Sequence, residues 1–155
     1  MGKQLSFLLP EIDRDATQEN VEREIAKYRL YCFSVPEEKL PKVTASFSLV
    51  PPSNTNAFHS TTEDIAIERV DEQRKKEAFI EYFRKAVNRL PPKERQAFVM
   101  KYLGEEELFD YEIYNELGMS EAYYHKKFKP RILYNLAFAL RVEVYKKKEG
   151  EYGVR

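Results

Sequence analysis

Apolar and polar positions divide the chain into several helical segments and one short extended segment. Val21, Ile25, Tyr28 and Cys32 recur at spacings of four, three and four. That puts them on one stripe of a helix over residues 17–33, with Glu, Lys and Arg on the other face. Thr17 is the cap this reading predicts. VTASFSL, residues 43–49, alternates strictly instead, with Val43, Ala45, Phe47 and Leu49 on one side and Thr44, Ser46 and Ser48 on the other. This is the period of a half-buried strand, and PPSNTN stops it. A lone strand in a helical chain leaves its backbone groups unpaired. The segment is therefore expected to pair with a second copy or to lie as an extended arm on a helical surface, unless it is a linker that alternates by chance.

STTED opens the next helix, with Thr61 or Thr62 as cap and Glu63 and Asp64 in a first turn whose dipole favours acids. Ile67 and Val70 precede a polar run, DEQRKKE, which suits a helix surface and a hinge equally well. A stripe of Phe79, Phe83, Ala86 and Leu90 follows. Pro91 and Pro92 end that helix and open another, because proline is tolerated in a first helical turn. Ala97, Phe98 and Tyr102 supply its apolar face, and an acidic connection leads to Asp110, a candidate cap for YEIYNEL.

YNELGMSEAYYHKKF, residues 114–128, carries the most specific pattern. Ile113 and Leu117 lie four apart on a short helix. Gly118 sits just past its end, where positive φ is usual, and Ser120 is suited to cap the next helix. There Tyr124, Phe128, Ile132, Leu136 and Leu140 repeat every four residues and are predicted to face the core. Ala122, Tyr123, Lys126 and Lys129 fall on the opposite face, with His125 and Lys127 on its flanks. Each piece alone suits a plain helical bundle. Together, a helix, a tight turn and a capped helix with a basic aromatic face make a helix-turn-helix pattern. Pro130 removes one helical amide and crowds the carbonyl of Lys126, and it disfavours helical geometry at Lys129. The second helix is therefore expected to kink or end at residues 128–130, with a new helix from Arg131 to about Tyr145.

Composition changes this picture in two places. Lys+Arg and Asp+Glu both number 26 in 155 residues, so whole-chain charge makes no case for nucleic acid. The distribution does. Residues 105–116 hold six acids and no base, whereas residues 121–148 hold eight bases against two acids. A local positive surface is what a phosphate backbone requires. Cys32 is the only cysteine and there are two histidines, so neither an internal disulfide nor a Cys/His metal cluster can form. SFLL before Pro10 is too short for a secretory signal, and nothing reaches the roughly 20 apolar residues of a membrane span. The five glycines are scattered rather than gathered in a phosphate-cradling loop. His59 beside Ser60 has no orienting partner. The chain reads as a soluble intracellular non-enzyme, with no cofactor, metal or small-molecule substrate.

The motifs resemble known families. LPPKERQAFVMKYL followed by YEIYNELGMSEAYYHKKF resembles region 4 of bacterial primary sigma factors, with Leu-Pro-x-x-x-Arg, a helix, and a helix-turn-helix containing Leu-Gly-Met-Ser. QLSF with LPEID, TASFSLVPPSNTNAFHSTTE, YEIYNELGMSEAYYHKKF and ALRVEVYK are similar to the ArpU family of Gram-positive phage and prophage regulators, across nearly the whole chain. Tyr123, Tyr124 and Pro130 depart from the sigma-like pattern. The resemblance implies a sequence-specific transcription regulator of late genes, acting on double-stranded promoter or operator DNA in the host cytoplasm, at the nucleoid.

The expected architecture is mainly α: a helical bundle with a carboxy-terminal helix-turn-helix and an extended arm at residues 42–50. Residues 1–60 would serve interaction and oligomerisation, and 61–155 would form the DNA-binding domain, with its helix-turn-helix at 110–129. Tyr123, Lys126 and His125 are expected to reach base edges from a surface that includes Ala122. Ser120, Lys127, Lys129 and Arg131 are expected to hold phosphates. Glu121 suits a cytosine contact and phosphate repulsion alike. One such helix reads few base pairs, so a homodimer on two half-sites is expected, joined through residues 42–50 or the helix at 17–33. The acidic stretch 105–116 is a candidate RNA polymerase contact, or simply a solvated helix end. Two competing readings are a packaging protein resembling a terminase small subunit and a helical adaptor that does not touch DNA.

Overall fold

A computed structural model describes residues 11–53 and 65–147, the side chains of 65–68 excepted. The chain is mainly helical. Its elements run α1 (Arg14–Ser34), a single 3-10 turn (Glu37–Lys39), β1 (Lys42–Val43), β2 (Leu49–Val50), α2 (Ile65–Asn88), α3 (Pro92–Phe98), α4 (Asp110–Glu116), α5 (Glu121–Tyr123) and α6 (Lys129–Leu140). A π-turn, Val99–Leu103, continues α3, and another, Tyr124–Phe128, joins α5 to α6 without a break. The proposed Thr61 or Thr62 cap, Glu63, Asp64, the side chain of Ile67, His59 and Ser60 lie outside the described residues.

One core forms where α1, α2, α3 and α6 meet. Val21, Ile25 and Tyr28 of α1 are buried with Ile80, Phe83, Ala86 and Val87 of α2 and with Leu136 and Leu140 of α6. Tyr28 stacks on Phe83 with ring centroids 4.2 Å apart, and Phe83 meets Phe98 of α3 at 6.2 Å. Each large side chain so buried contributes about 1.5–3 kcal/mol. The polar run DEQRKKE lies inside the unbroken helix α2, so it is helix surface rather than a hinge. Pro91 precedes α3 and Pro92 opens it, as the first-turn rule requires.

Several expected boundaries differ. Asp13, not Thr17, caps α1, its Oδ1 accepting from the Ala16 amide at 3.1 Å. Thr17 lies inside the helix, buried, where its hydroxyl accepts from the Val144 amide at 2.9 Å. That bond joins the start of α1 to the segment after α6, where the Asp13 amide donates to the Val144 carbonyl at 2.8 Å. The last helix consequently stops well before Tyr145. Arg141 adopts φ 58, ψ 42 as a left-handed cap, and Ile12 and Tyr145 form an antiparallel bridge.

Residues 42–50 form a hairpin, not a single strand or an open arm. Lys42 pairs with Val50 and Val43 with Leu49. Between them Thr44 holds a tight turn: its Oγ1 accepts from the Ser48 amide at 3.1 Å, and its carbonyl accepts from Phe47, which has φ 58. The outer edge at Leu49 is satisfied by a side chain. Asn88 Oδ1 accepts from the Leu49 amide at 2.9 Å while Asn88 Nδ2 donates to its carbonyl at 2.7 Å. A carboxamide thus replaces the neighbouring strand that edge groups otherwise seek.

Candidate nucleic-acid interface

The end of α4 is shaped by backbone geometry. Gly118 has φ 67. Its amide donates to the Asn115 carbonyl at 3.2 Å, and the next amide, Met119, donates to Tyr114 at 2.8 Å. This is the paired bonding of a Schellman turn, which calls for a left-handed residue where glycine is least strained. Ser120 then has extended dihedrals, φ −72 and ψ 152, and its Oγ accepts from the Tyr123 amide at 3.2 Å. Both sequence expectations for the turn hold at Gly118 and Ser120.

Asp110 does not cap α4. It is the first helical residue, and the cap position falls to Phe109, whose amide is bonded by the Glu112 carboxylate at 2.7 Å. Asp110 instead ties three segments together. Tyr124 donates its hydroxyl to Oδ1 at 2.9 Å, Lys129 Nζ donates to Oδ2 at 2.9 Å, and Lys101 Nζ lies 3.5 Å from Oδ1. Burial pushes the Asp110 carboxyl upward, but the bonds from Lys129 and Tyr124 and the charges of Lys129 and Lys101 outweigh it, so its pKa lies below the usual value. Burial, reinforced by the neighbouring carboxylate, raises the Tyr124 hydroxyl pKa. Lys101 lies in the first π-turn and Lys129 directly follows the second.

The second π-turn also corrects the expectation at Pro130. Phe128 and Lys129 keep helical dihedrals, Lys129 at φ −61, ψ −46, and residues 121–140 are continuous helix. The Lys129 amide reaches back to Tyr124, one residue farther than an α-helical bond. Widening the turn in this way makes room for the proline ring, whose nitrogen has no hydrogen to donate. It also rotates Lys129 off the outward face and onto Asp110.

The remaining candidate residues divide clearly. Tyr124 is buried, whereas Ser120, Glu121, Ala122, Tyr123, His125, Lys126, Lys127 and Arg131 are exposed. His125 packs edge-on against Tyr124, with centroids 5.1 Å apart, and beside Tyr114 at 6.2 Å, which holds it over the α4–α5 corner. Tyr123 and Arg131 share a cleft of about 640 Å³ with Ser120, Met119 and Lys93 at the start of α3. Lys93 and the Asp110 tie had no role in the sequence reading, since no local spacing links them to the turn. Among the described residues, no group of three or more His, Cys, Asp or Glu side chains is placed to hold a metal, and no helix is long and apolar enough to cross a membrane.

The chain is similar to a Listeria innocua protein described as "Uncharacterized phage-related protein Lin1259/Lin1739", with 36% identity over 140 residues, covering 90% of this chain and 97% of the relative. It is also similar to "Protein Gp66" of Listeria phage A118, with 29% identity over 108 residues, 70% of this chain and 73% of the relative. No protein-family model and no solved structure matches it. The ArpU-like and sigma-like resemblances rest on the motifs quoted above.

Proposed function

The chain belongs to the family of phage-related proteins that includes Lin1259/Lin1739 of Listeria innocua, and from that premise we propose that it is a sequence-specific DNA-binding transcription regulator of phage or prophage late genes. In this reading α4, the Gly118 turn and the helix from Ser120 act as a helix-turn-helix of the sigma region 4 kind, in an ArpU-type regulator. One observation carries it: a Schellman turn and a serine cap set a helix whose first turns expose Ala122, Tyr123, His125 and Lys126, while Tyr124 anchors the same helix to Asp110. A reading surface on a fixed support is what base recognition needs.

The outward face enters the major groove. Tyr123, Lys126 and His125 meet base edges; Ser120, Lys127 and Arg131 hold phosphates and set register. Lys129, paired with Asp110, contributes through the position of the helix. The protein works at the host nucleoid as a homodimer. The dimer contact falls on the end of α1, where Leu30 and Phe33 lie three apart and are 65% and 90% exposed. The acidic stretch 105–116, where exposed Phe109 and Tyr111 stack at 5.8 Å, is the surface for RNA polymerase in this reading.

Genome-wide mapping of bound sites yields the operator on which the reading is tested. Lys126→Ala is expected to weaken operator binding by about 1–3 kcal/mol, with a smaller loss on random duplex. Equal loss on both would make Lys126 a phosphate contact. No binding by the wild-type protein even at low salt would favour the adaptor reading, because non-specific binding is strongest there. Phe33→Glu is expected to give a monomer by light scattering and to lower operator affinity; a ring-sized wild-type assembly would favour the packaging reading.

A further inference from the structure

A second cleft, also of about 640 Å³, lies where the first turn of α1 meets the π-turn and the start of α6. Arg14 stands on the α1 side, and Lys126, Lys127 and Arg131 on the other, with Asp15 the one acid among its lining residues. All four bases are exposed. None of them joins an ion pair among the described residues. Of the neutral polar side chains beside them, Thr17 bonds the Val144 backbone, and the amide groups of Gln18 and Asn135 donate to Glu22 and Glu94. The cleft therefore sets four cations against one carboxylate. Like charges gathered in one recess repel one another, and an anion relieves that repulsion.

We infer that α1 supplies a second grip on DNA: Arg14 holds a backbone phosphate across the cleft from Lys127 and Arg131, beside the groove that the Ser120 helix reads. This rests on the DNA-binding reading above. Lys126 and Lys127 belong both to the cleft and to the exposed face beyond Tyr123, so a strand leaving that face passes directly over Arg14. A chain of phosphates fits bases spread over two elements better than one small anion does. No helix-turn-helix pattern in sequence points to Arg14, which lies more than a hundred residues before the turn and reaches it because α1 packs on α6 and its start is bonded to the chain after α6.

The test is the salt dependence of binding by the full chain, on mapped operator and on random duplex, for wild type, Arg14→Ala, and Lys75→Ala as an exposed control outside the cleft. Loss of one phosphate contact lowers the slope of log affinity against log salt by roughly 0.9, which changes affinity on the order of threefold between about 50 and about 200 mM salt. Arg14→Ala is expected to show that decrease on both duplexes with an unchanged circular dichroism spectrum, and Lys75→Ala to match wild type. If Arg14→Ala keeps the wild-type slope on DNA that Lys126→Ala weakens, the second grip is wrong and the DNA-binding reading stands. If the wild-type protein binds no duplex at low salt, both fail. Saturable displacement of the duplex by millimolar adenosine monophosphate, lost in Arg14→Ala, would make the cleft a nucleotide site and overturn the grip.

Discussion

Tyr28 and Tyr124 are both buried tyrosines, yet they are held by different means. Tyr28 lies in an aromatic seam, stacked on Phe83, which in turn meets Phe79 and Phe98. Tyr124 lies in a polar corner, where its hydroxyl donates to a carboxylate that also receives Lys129 and faces Lys101. The seam joins α1, α2 and α3 through non-directional apolar contact, which yields large stability and little orientation. The corner joins α4 to the helix after Ser120 through directed bonds, which contribute less free energy but determine which side chains of that helix face outward. Stability and the setting of the exposed face after Ser120 are therefore separable by mutation.

The largest effect should come from the seam. Phe83 is fully buried, so Phe83→Ala is expected to lose about 3–5 kcal/mol in urea unfolding. A loss below about 1 kcal/mol would mean the seam is not the main store of stability. Asp110→Asn should cost less, about 1–3 kcal/mol, while reducing operator binding in protein that remains folded. It should also change the pH response. The folded pKa of Asp110 lies below its unfolded value. Its stabilisation is thus complete above the unfolded pKa of about 3.9 and disappears as pH falls through the lowered folded value. Urea midpoints of wild type and Asp110→Asn should converge in that acid range; a constant gap would assign the loss to packing. Ser120→Ala should be mildest, about 1 kcal/mol, with a measurable loss of operator affinity from fraying at the reading end of the helix.

The features legible in sequence were those with short-range causes. Stripes at 3.6-residue spacing located α1, the second half of α2 and the inward face of the last helix. Gly118 and Ser120 announced the turn because each satisfies a backbone need within a few residues. The segment 43–49 misled because its polar positions are Ser and Thr. Alternation suited a strand, but the Thr44 hydroxyl bonds backbone four residues on and closes a turn. Thr17 and Asp110 looked like caps because their residue types cap helices well. Their partners, Val144 at 127 residues' separation and Lys129 at 19, are set by packing and leave no trace in local spacing.

The π-turn at Tyr124–Phe128 also settles a question of phase. Tyr124, Phe128, Ile132, Leu136 and Leu140 stand four apart, and in an α-helix each such step overshoots a full turn by about 40°. Across the five residues the stripe would wind about 160° around the helix and leave the core. A wide turn takes up one extra residue, setting the later residues back by about 100°. Phe128 then falls about 60° behind Tyr124, the three later steps carry Leu140 about 60° past it, and the five residues stay within an arc of about 120°, the width of a broad apolar stripe. The turn thus acts as a vernier between the exposed start of the helix and its packing segment. It also makes this the point in the helix where the chain can lose one residue without turning the exposed face around Tyr123 or the packing face away from their present directions.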